Sequence, residues 1–383
     1  MLGKTNITTL SEGGIVTEIE DFRWIQGQSG IRSDFVKAIF QNGYLAAITA
    51  DGAIVYSTDG EVWEVVRPDA EGCKLNDIDW DGRRFLLVGS STEEGGTASG
   101  KKGLIMSTAD FKTLVKISDL PYNEFFSIFP QNGKYSVVAQ KGDAIYSLFT
   151  DLTEDGTQET ELEIKGKYFQ YSTAAKSTNG VLVCIRSYEY GFGSMAGIVS
   201  NYIDIVKFNG SSVRKLLTST GTRNPNIISV FECKDILYLM YLQDTDNYKF
   251  NKITGSDEIM TVCMGQNFAF KDGVYFNGCQ VFINNHEMMV VRKEENIADK
   301  TLGDFIEIAP EATMNCIIRA FGQLFIFGNQ GVILKSSEET NNDEAIAVQA
   351  LSAKKALADA KRYTDEQFAV LEARIAALEG AAE

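Results

Sequence analysis

The dominant pattern along the chain is a repeated unit in which an apolar run, a short turn and a second apolar run follow one another. In its first occurrence residues 36–40 and 44–49 flank Gln41-Asn42-Gly43. The unit recurs with 75–80 and 85–89 around Asp81-Gly82-Arg83, 125–129 and 135–139 around Gln131-Asn132-Gly133, and 171–176 and 181–186 around Thr178-Asn179-Gly180. A fifth copy, 227–231 and 236–241, turns at Cys233-Lys234-Asp235 without glycine. The sixth is expected to turn at Lys271-Asp272-Gly273 and the seventh at Phe321-Gly322-Gln323. Asn-Gly and Asp-Gly are strong hairpin signals because both residues adopt positive φ at low cost. Copies spaced by roughly 40 to 54 residues match the repeat of a four-stranded propeller blade.

Each pair is followed by further strand-like runs: 53–57 with 62–66, 103–107 with 113–117, and 198–208 with 213–217. The seventh copy has a third run, 332–336, that leads straight into polar residues 337–343 and leaves no room for a fourth. The missing strand is available at the other end, where residues 17–26 read TEIEDFRWIQ and place Trp24 much as Trp63 is placed in EVWEVV. The expected fold is therefore all-β: a seven-bladed propeller closed by the N-terminal strand, which removes exposed sheet edges. The expected boundaries are an N-terminal arm over 1–16, the propeller over 17–339 and a separate segment over 340–383.

That last segment abandons the strand pattern. It is rich in Ala, Glu and Lys, offers Asn341–Asp343 as N-cap and Gly380 as stop, and predicts a helix of roughly ten turns. Its apolar stripe runs through Ile346, Ala350, Ala353, Leu357 and Ala360, then Phe368, Leu371, Ile375 and Leu378, in steps of three and four, with a stutter at Thr364 between the two runs. A lone helix cannot bury such a stripe, so a parallel coiled coil is expected, with Leu357, Phe368, Leu371, Ile375 and Leu378 as oligomerisation positions.

Composition narrows the function. With 36 Lys plus Arg against 52 Asp plus Glu, the formal net charge of −16 disfavours nucleic acid and anionic membrane surfaces. No Sec-type signal or membrane-spanning run is visible, so membrane insertion is not expected. The 6 cysteines are scattered without C-x-x-C spacing, mostly in apolar runs, and read as buried free thiols.

Two stretches carry resemblances. Ser57-Thr58-Asp59-Gly60-Glu61-Val62-Trp63 resembles the Asp-box of β-propeller proteins such as sialidases, with Ser57, Asp59, Gly60 and Trp63 in its structural positions and Trp63 folding back over the hairpin. In those families the box lies away from the catalytic centre. ALADAKRYTDEQFAVLEARIAALE, residues 356–379, resembles the trimeric coiled coils of bacteriophage tail fibres, in which A-K-x-Y-T-D motifs recur. Together they imply a virion appendage protein, made in the host cytoplasm without a signal peptide, that trimerises through its C-terminal helix and contacts other virion proteins and a host-surface receptor or glycan.

Propeller topology puts the 1-to-2 and 3-to-4 turns of every blade on one face and the 2-to-3 loops and inter-blade connections on the other. The first face carries short turns. The second is expected to carry long loops at 91–102, 187–197 and 243–249, and long connections at 121–124, 219–226 and 292–311. Binding usually resides in such loops. The candidates are Arg186, Tyr188, Glu189, Tyr190 and Phe192, with Tyr248 in the next blade: aromatic rings stack on sugars while Arg and Glu bond hydroxyls. The competing assignment of these rings is packing of the loop on its neighbours.

Catalytic constellations are weak. Arg186, Arg223 and Arg319 are not fixed by any motif around a Tyr and a Glu as a sialidase needs, although two carboxylates can converge in a fold. His286, the single histidine, reads as a turn residue, Asp244–Asn247 as a polar turn and not a calcium loop, and Gly191-x-Gly193 precedes no helix. No cofactor or metal is expected. The leading expectation is a non-enzymatic receptor-binding protein; the alternatives are a purely structural virion protein of baseplate, neck or head fibre, and a glycan-cleaving enzyme.

Overall fold

The computed structural model describes residues 7–10, 16–19 and 24–336, except 93–99, 132, 162–167, 178–179, 191–197, 209–212, 222–225, 245–246, 266–268, 277, 292–304 and 309–311. Contacts divide the chain into units of Met1–Ser337 and Glu338–Glu383. The second unit, with the expected helix over 340–383 and its positions Leu357, Phe368, Leu371, Ile375 and Leu378, lies outside the described residues. Those described contain no α-helix, only a 3-10 turn at Asn329–Gly331.

The first unit is built from seven antiparallel four-stranded sheets, the blades, each running from an innermost to an outermost strand. Blade 1 is Phe35–Gln41, Tyr44–Thr49, Ile54–Ser57 and Glu64–Val66. Its middle strands are almost wholly buried and its outer strand is not, because both faces of a blade pack against neighbouring blades. The middle strands therefore read as continuous apolar runs instead of alternating ones.

Blade 7 contributes Met314–Ala320, Gln323–Gly328 and Val332–Ser336. Its fourth strand is Trp24–Gln28, registered from Trp24 opposite Ser336 to Gln28 opposite Val332. The N-terminal closure read from the sequence is thus present, with shifted bounds. Val16–Ile19 belongs instead to a separate hairpin with Ile7–Leu10. Trp24 is 6% exposed and packs with Phe276, Ile317 and Leu334 of blades 6 and 7. The seam is reinforced by Ser29 Oγ donating to the Gly331 carbonyl (2.6 Å), by the Asn315 side chain donating to the Phe35 carbonyl (3.0 Å), and by a Lys335–Glu61 ion pair.

Blade 6 corrects one turn. Lys271-Asp272-Gly273 is not the hairpin: Asp272–Phe276 is the innermost strand, and the chain turns at Gly278 (φ +81°) into Cys279–Ile283. Of two glycine signals the structure uses the later, at Gly278. Gly273 serves close approach instead, since a Cβ there would stand 2.5 Å from Phe282 and 2.8 Å from Phe231.

The described 3-to-4 turns, in blade 1, blade 2 (74–118), blade 3 (124–161) and blade 5 (226–265), share a device that keys the blade into the one before it. Ser57 Oγ accepts from Gly60 N (2.8 Å), and Asp59 Oδ1 accepts from Glu61 N (2.7 Å) and Val62 N (2.9 Å). In blade 2, Thr108 Oγ1 accepts from Phe111 N (2.8 Å) and Asp110 Oδ1 from Lys112 N (3.0 Å). The residue after the carboxylate takes positive φ: Gly60 at 77° and Phe111 at 62°. Blades 3 and 5 place Leu152 (72°) and Asp257 (64°) at positive φ in the corresponding turn. Phe111 and Leu152 fill the slot toward the preceding blade with their own side chains. At Gly60 the slot is filled from the other side, by Phe321 and Phe325 of blade 7. In blade 5 the slot is polar, and Asp257 receives Lys207 of blade 4 at 2.7 and 2.6 Å.

Trp63 also reaches the slot between blades 7 and 1: its ring meets Phe325 at 6.3 Å and Phe327 at 5.7 Å, both edge-on, and it packs with a cluster that holds Val55 of blade 1. All six cysteines are free; Cys184, Cys233, Cys279 and Cys316 are buried.

Candidate functional site

Two regions stand out: a tall blade on the long-loop face and the channel along the axis. The tall blade is the fourth. Its strands, Tyr168–Ser177, Gly180–Tyr190, Ile198–Phe208 and Val213–Gly221, have 10, 11, 11 and 9 residues. Blade 1 has 7, 6, 4 and 3. Both second strands leave an equivalent short turn, Gly180 opposite Ser177 and Tyr44 opposite Gln41, so the excess length projects on the opposite face. At ~3.3 Å per residue, five extra residues raise a fin about 15 Å beyond the shorter blade.

This redraws the predicted binding loops. Arg186, Tyr188, Glu189 and Tyr190 lie in strand, not loop: Arg186 stands opposite Gln170 and Ile203, Tyr188 opposite Tyr168 and Asn201, Glu189 opposite Ser200, Tyr190 opposite Ile198. The predicted loop 187–197 shrinks to 191–197, which, with Phe192, lies outside the described residues. The predicted loop 243–249 is likewise a hairpin with Asp244 opposite Asn247, and Tyr248 is half-buried against Phe250 and its neighbours. Backbone pairing continues past the rim because these segments retain β-formers, a preference that turn-like Tyr, Glu and Asp spacing concealed.

The channel is lined by the innermost strands, with a volume of about 1430 Å³. Six of these strands carry a register shift near their starts, which leaves Val36, Asn76, Phe126, Ser172, Ile228 and Asn315 as the extra residue. Such bulges re-aim side chains. Several polar groups there clasp the next blade. Asn76 donates to the Phe125 carbonyl (2.9 Å) and Glu124 (2.9 Å); Asp77 accepts from Ile128 N (3.0 Å), and Asp272 in the same way from Ile317 N (2.9 Å). Ser127 and Tyr171 share a hydroxyl–hydroxyl bond of 2.8 Å.

Charged side chains line the channel on blades 1 to 6. Lys37 pairs with Asp77; burial alone would lower its ammonium, but Asp77 and Asp79 more than offset this and hold it above its ordinary value. Burial raises the Asp79 carboxyl, with Lys37 opposing and Asp77 assisting. Among the described residues Asp79 has one hydrogen bond, accepted by Oδ1 from Trp80 N (2.7 Å). Asp272 is pushed up to about 7 by burial, against the Ile317 and Gly273 N–H groups and Lys37. Near the mouth, burial of Glu124 is outweighed by Asn76, Lys101 and Lys74, which leave its carboxyl below the usual range. These residues escape the repeat pattern and the motifs; their signal in the sequence is charge inside otherwise apolar runs, as in Leu75-Asn76-Asp77-Ile78-Asp79.

The predicted catalytic constellations do not assemble among the described residues. Arg186 lies on blade 4 and Arg319 on blade 7, where its guanidinium covers the Phe276 ring at 5.7 Å; Arg223 is outside the described residues. His286 is in a turn, its N–H donating to Asn284 Oδ1 (2.9 Å) and its ring Nδ1 3.1 Å from the Ala312 carbonyl. No three His, Cys, Asp or Glu among the described residues form a group able to hold a metal.

Closed pairing around an open axis defines a seven-bladed β-propeller. No protein-family model and no curated protein matches the sequence. Among solved structures the chain is similar to a catalytically inactive virginiamycin B lyase variant from Staphylococcus aureus with quinupristin, at 13% identity and a TM-score of 0.54, over 82% of this chain and 99% of that one. It is similar also to a streptogramin B lyase, at 13% identity and a TM-score of 0.54, over 82% of this chain and 97% of that one. At this identity the likeness extends to the fold.

Proposed function

We propose that the protein is a non-enzymatic binding module of a virion appendage, which engages a host-surface receptor through the long-loop face of its propeller. The observation that carries this reading is the fin. The second and third strands of blade 4, with 11 residues each, are longer than any other described strand of the ring, and such a projection on a scaffold suits recognition. Tyr188, Glu189 and Tyr190 lie at its upper end, with Arg186 below.

The virion assignment is supported by the tail-fibre-like residues 356–379, and the ring's architecture by the Asp-box-like turn at Ser57–Trp63. In this reading 340–383 forms a trimeric coiled coil.

The test is binding of the full-length protein to host cells and to a glycan array, repeated with Tyr188, Tyr190 and Phe192 replaced by Ala. Loss of at least about tenfold in affinity is expected for aromatic anchors. Unchanged binding refutes the assignment to the fin. Absence of any cell binding with retained affinity for other virion proteins favours a scaffold. Sedimentation mass checks the trimer, and a monomer at micromolar concentration rejects it.

A further inference from the structure

The channel holds more chemistry than ring closure requires. Its wall on blades 1 to 4 is polar, with Lys37, Asn76, Asp79, Gln170 and Lys176 facing the opening. On blades 5 to 7 the apolar side chains Ile228, Val230, Val274 and Ile318, each incompletely buried, open beside Ser229, Lys271, Asp272 and Asn315. Val36, beside Lys37, is 43% exposed. Apolar side chains left open along a polar-lined channel are unfavourable in the empty protein, and a ligand that covers them recovers that cost.

Polar and apolar groups side by side ask for an amphipathic occupant. Its polar side must suit a mixture of amides, carboxylates and ammonium groups with no strong excess of either sign. Within the polar wall the Phe126 ring lies parallel on Tyr171 at 4.2 Å and 5°, a flat platform beside hydrogen-bonding groups. The second oxygen of Asp79 accepts no hydrogen bond among the described residues. The volume, about 1430 Å³, exceeds the roughly 300–1,000 Å³ of sites for compact small ligands. An anion would meet Asp77, Asp79 and Asp272, and a metal ion finds no group able to hold it among the described residues.

We propose that the channel is a binding site for a neutral oligosaccharide, whose pyranose C–H faces lie on these open apolar side chains while its hydroxyls reach Asn76, Asp79 and Lys37. Pyranoses combine apolar faces with a rim of hydroxyls, and carboxylate, amide and ammonium groups satisfy that rim as acceptors and donors. The inference deepens the reading of the protein as a glycan-directed binding module, and moves part of the recognition from the fin to the axis.

Saturation-transfer NMR and calorimetry of the full-length protein with maltohexaose, cellohexaose, xylohexaose and chitohexaose test it. At least one is expected to bind. Asp79→Asn preserves shape and the Trp80 contact, and Val36→Asp places a charge at an already exposed position. Each is expected to weaken binding by about tenfold, with the thermal midpoint unchanged. The fin variant lacking Tyr188, Tyr190 and Phe192 should keep the oligosaccharide affinity. The proposal is overturned if none of the four sugars binds, if both channel variants bind as the natural protein does, or if the fin variant abolishes sugar binding. Loss of cell binding by the fin variant reports on the fin separately.

Discussion

Gly60→Ala tests the account of how blades 7 and 1 are keyed. Gly60 has φ of +77°, and a Cβ there would stand 2.6 Å from Phe325 Cζ and 3.2 Å from Phe321 Cδ2. The substitution thus adds left-handed strain of about 1 kcal/mol to overpacking of roughly 1–3 kcal/mol, for a total near 2–4 kcal/mol. Gly43→Ala is the control, because Gly43 has nearly the same φ, +78°, and nothing within 4 Å of the added carbon. It should cost about 1 kcal/mol. Equilibrium urea unfolding followed by tryptophan fluorescence measures both, and Trp63, beside Phe325, reports on the seam itself. Phe325→Leu removes the ring edge, so Gly60→Ala should cost less in that background. The slot model is refuted if the Gly60 and Gly43 variants are equally destabilised, or if the Phe325 substitution leaves the cost of Gly60→Ala unchanged.

Two further predictions concern buried charge. The Lys207 and Asp257 side chains are 8% and 12% exposed. Lys207→Met should therefore cost about 3 kcal/mol in urea unfolding by stranding the carboxylate, and adding Asp257→Asn should recover most of it, Asn being tolerant of positive φ. Asp272 has a folded pKa of about 7 against an ordinary 3.8, so its contribution to stability is full below about pH 4 and is lost as pH rises through 7. Relative to Asp272→Asn, the natural protein should lose stability between about pH 4 and 7, by about 2 kcal/mol once solvent screening in the channel is allowed for. A difference that stays flat across that range contradicts the burial of this carboxyl.

Much of the ring was legible from local chemistry. Asn42 and Gly43 both take positive φ, as an Asn-Gly hairpin requires, and the fifth turn does so with Lys234 and Asp235. The absence of a fourth strand after Val332–Ser336 pointed to Trp24–Gln28, and the pairing is there. The sixth turn was misplaced because Asp272-Gly273 and Asn277-Gly278 carry the same turn chemistry. The choice between them rests on packing of Gly273 under Phe282, which no local pattern records. The fin was missed for a related reason: Tyr188 to Tyr190 resemble a loop until strands 168–177 and 198–208 extend beside them.

The sequence alone therefore determined the number of blades, the closing strand and the position of most turns, because each depends on residues close along the chain or on a simple count of strands. The tertiary structure decided what fills the slots between blades and what faces the channel. Lys37 meets Asp77 across 40 positions and Lys207 meets Asp257 across 50, and these separations become contacts only when a closed ring sets one blade against the next. Gly60 shows the division clearly. Its need for positive φ was readable in Asp59-Gly60, while its need for an empty Cβ position comes from Phe325, brought alongside by the closure of the ring.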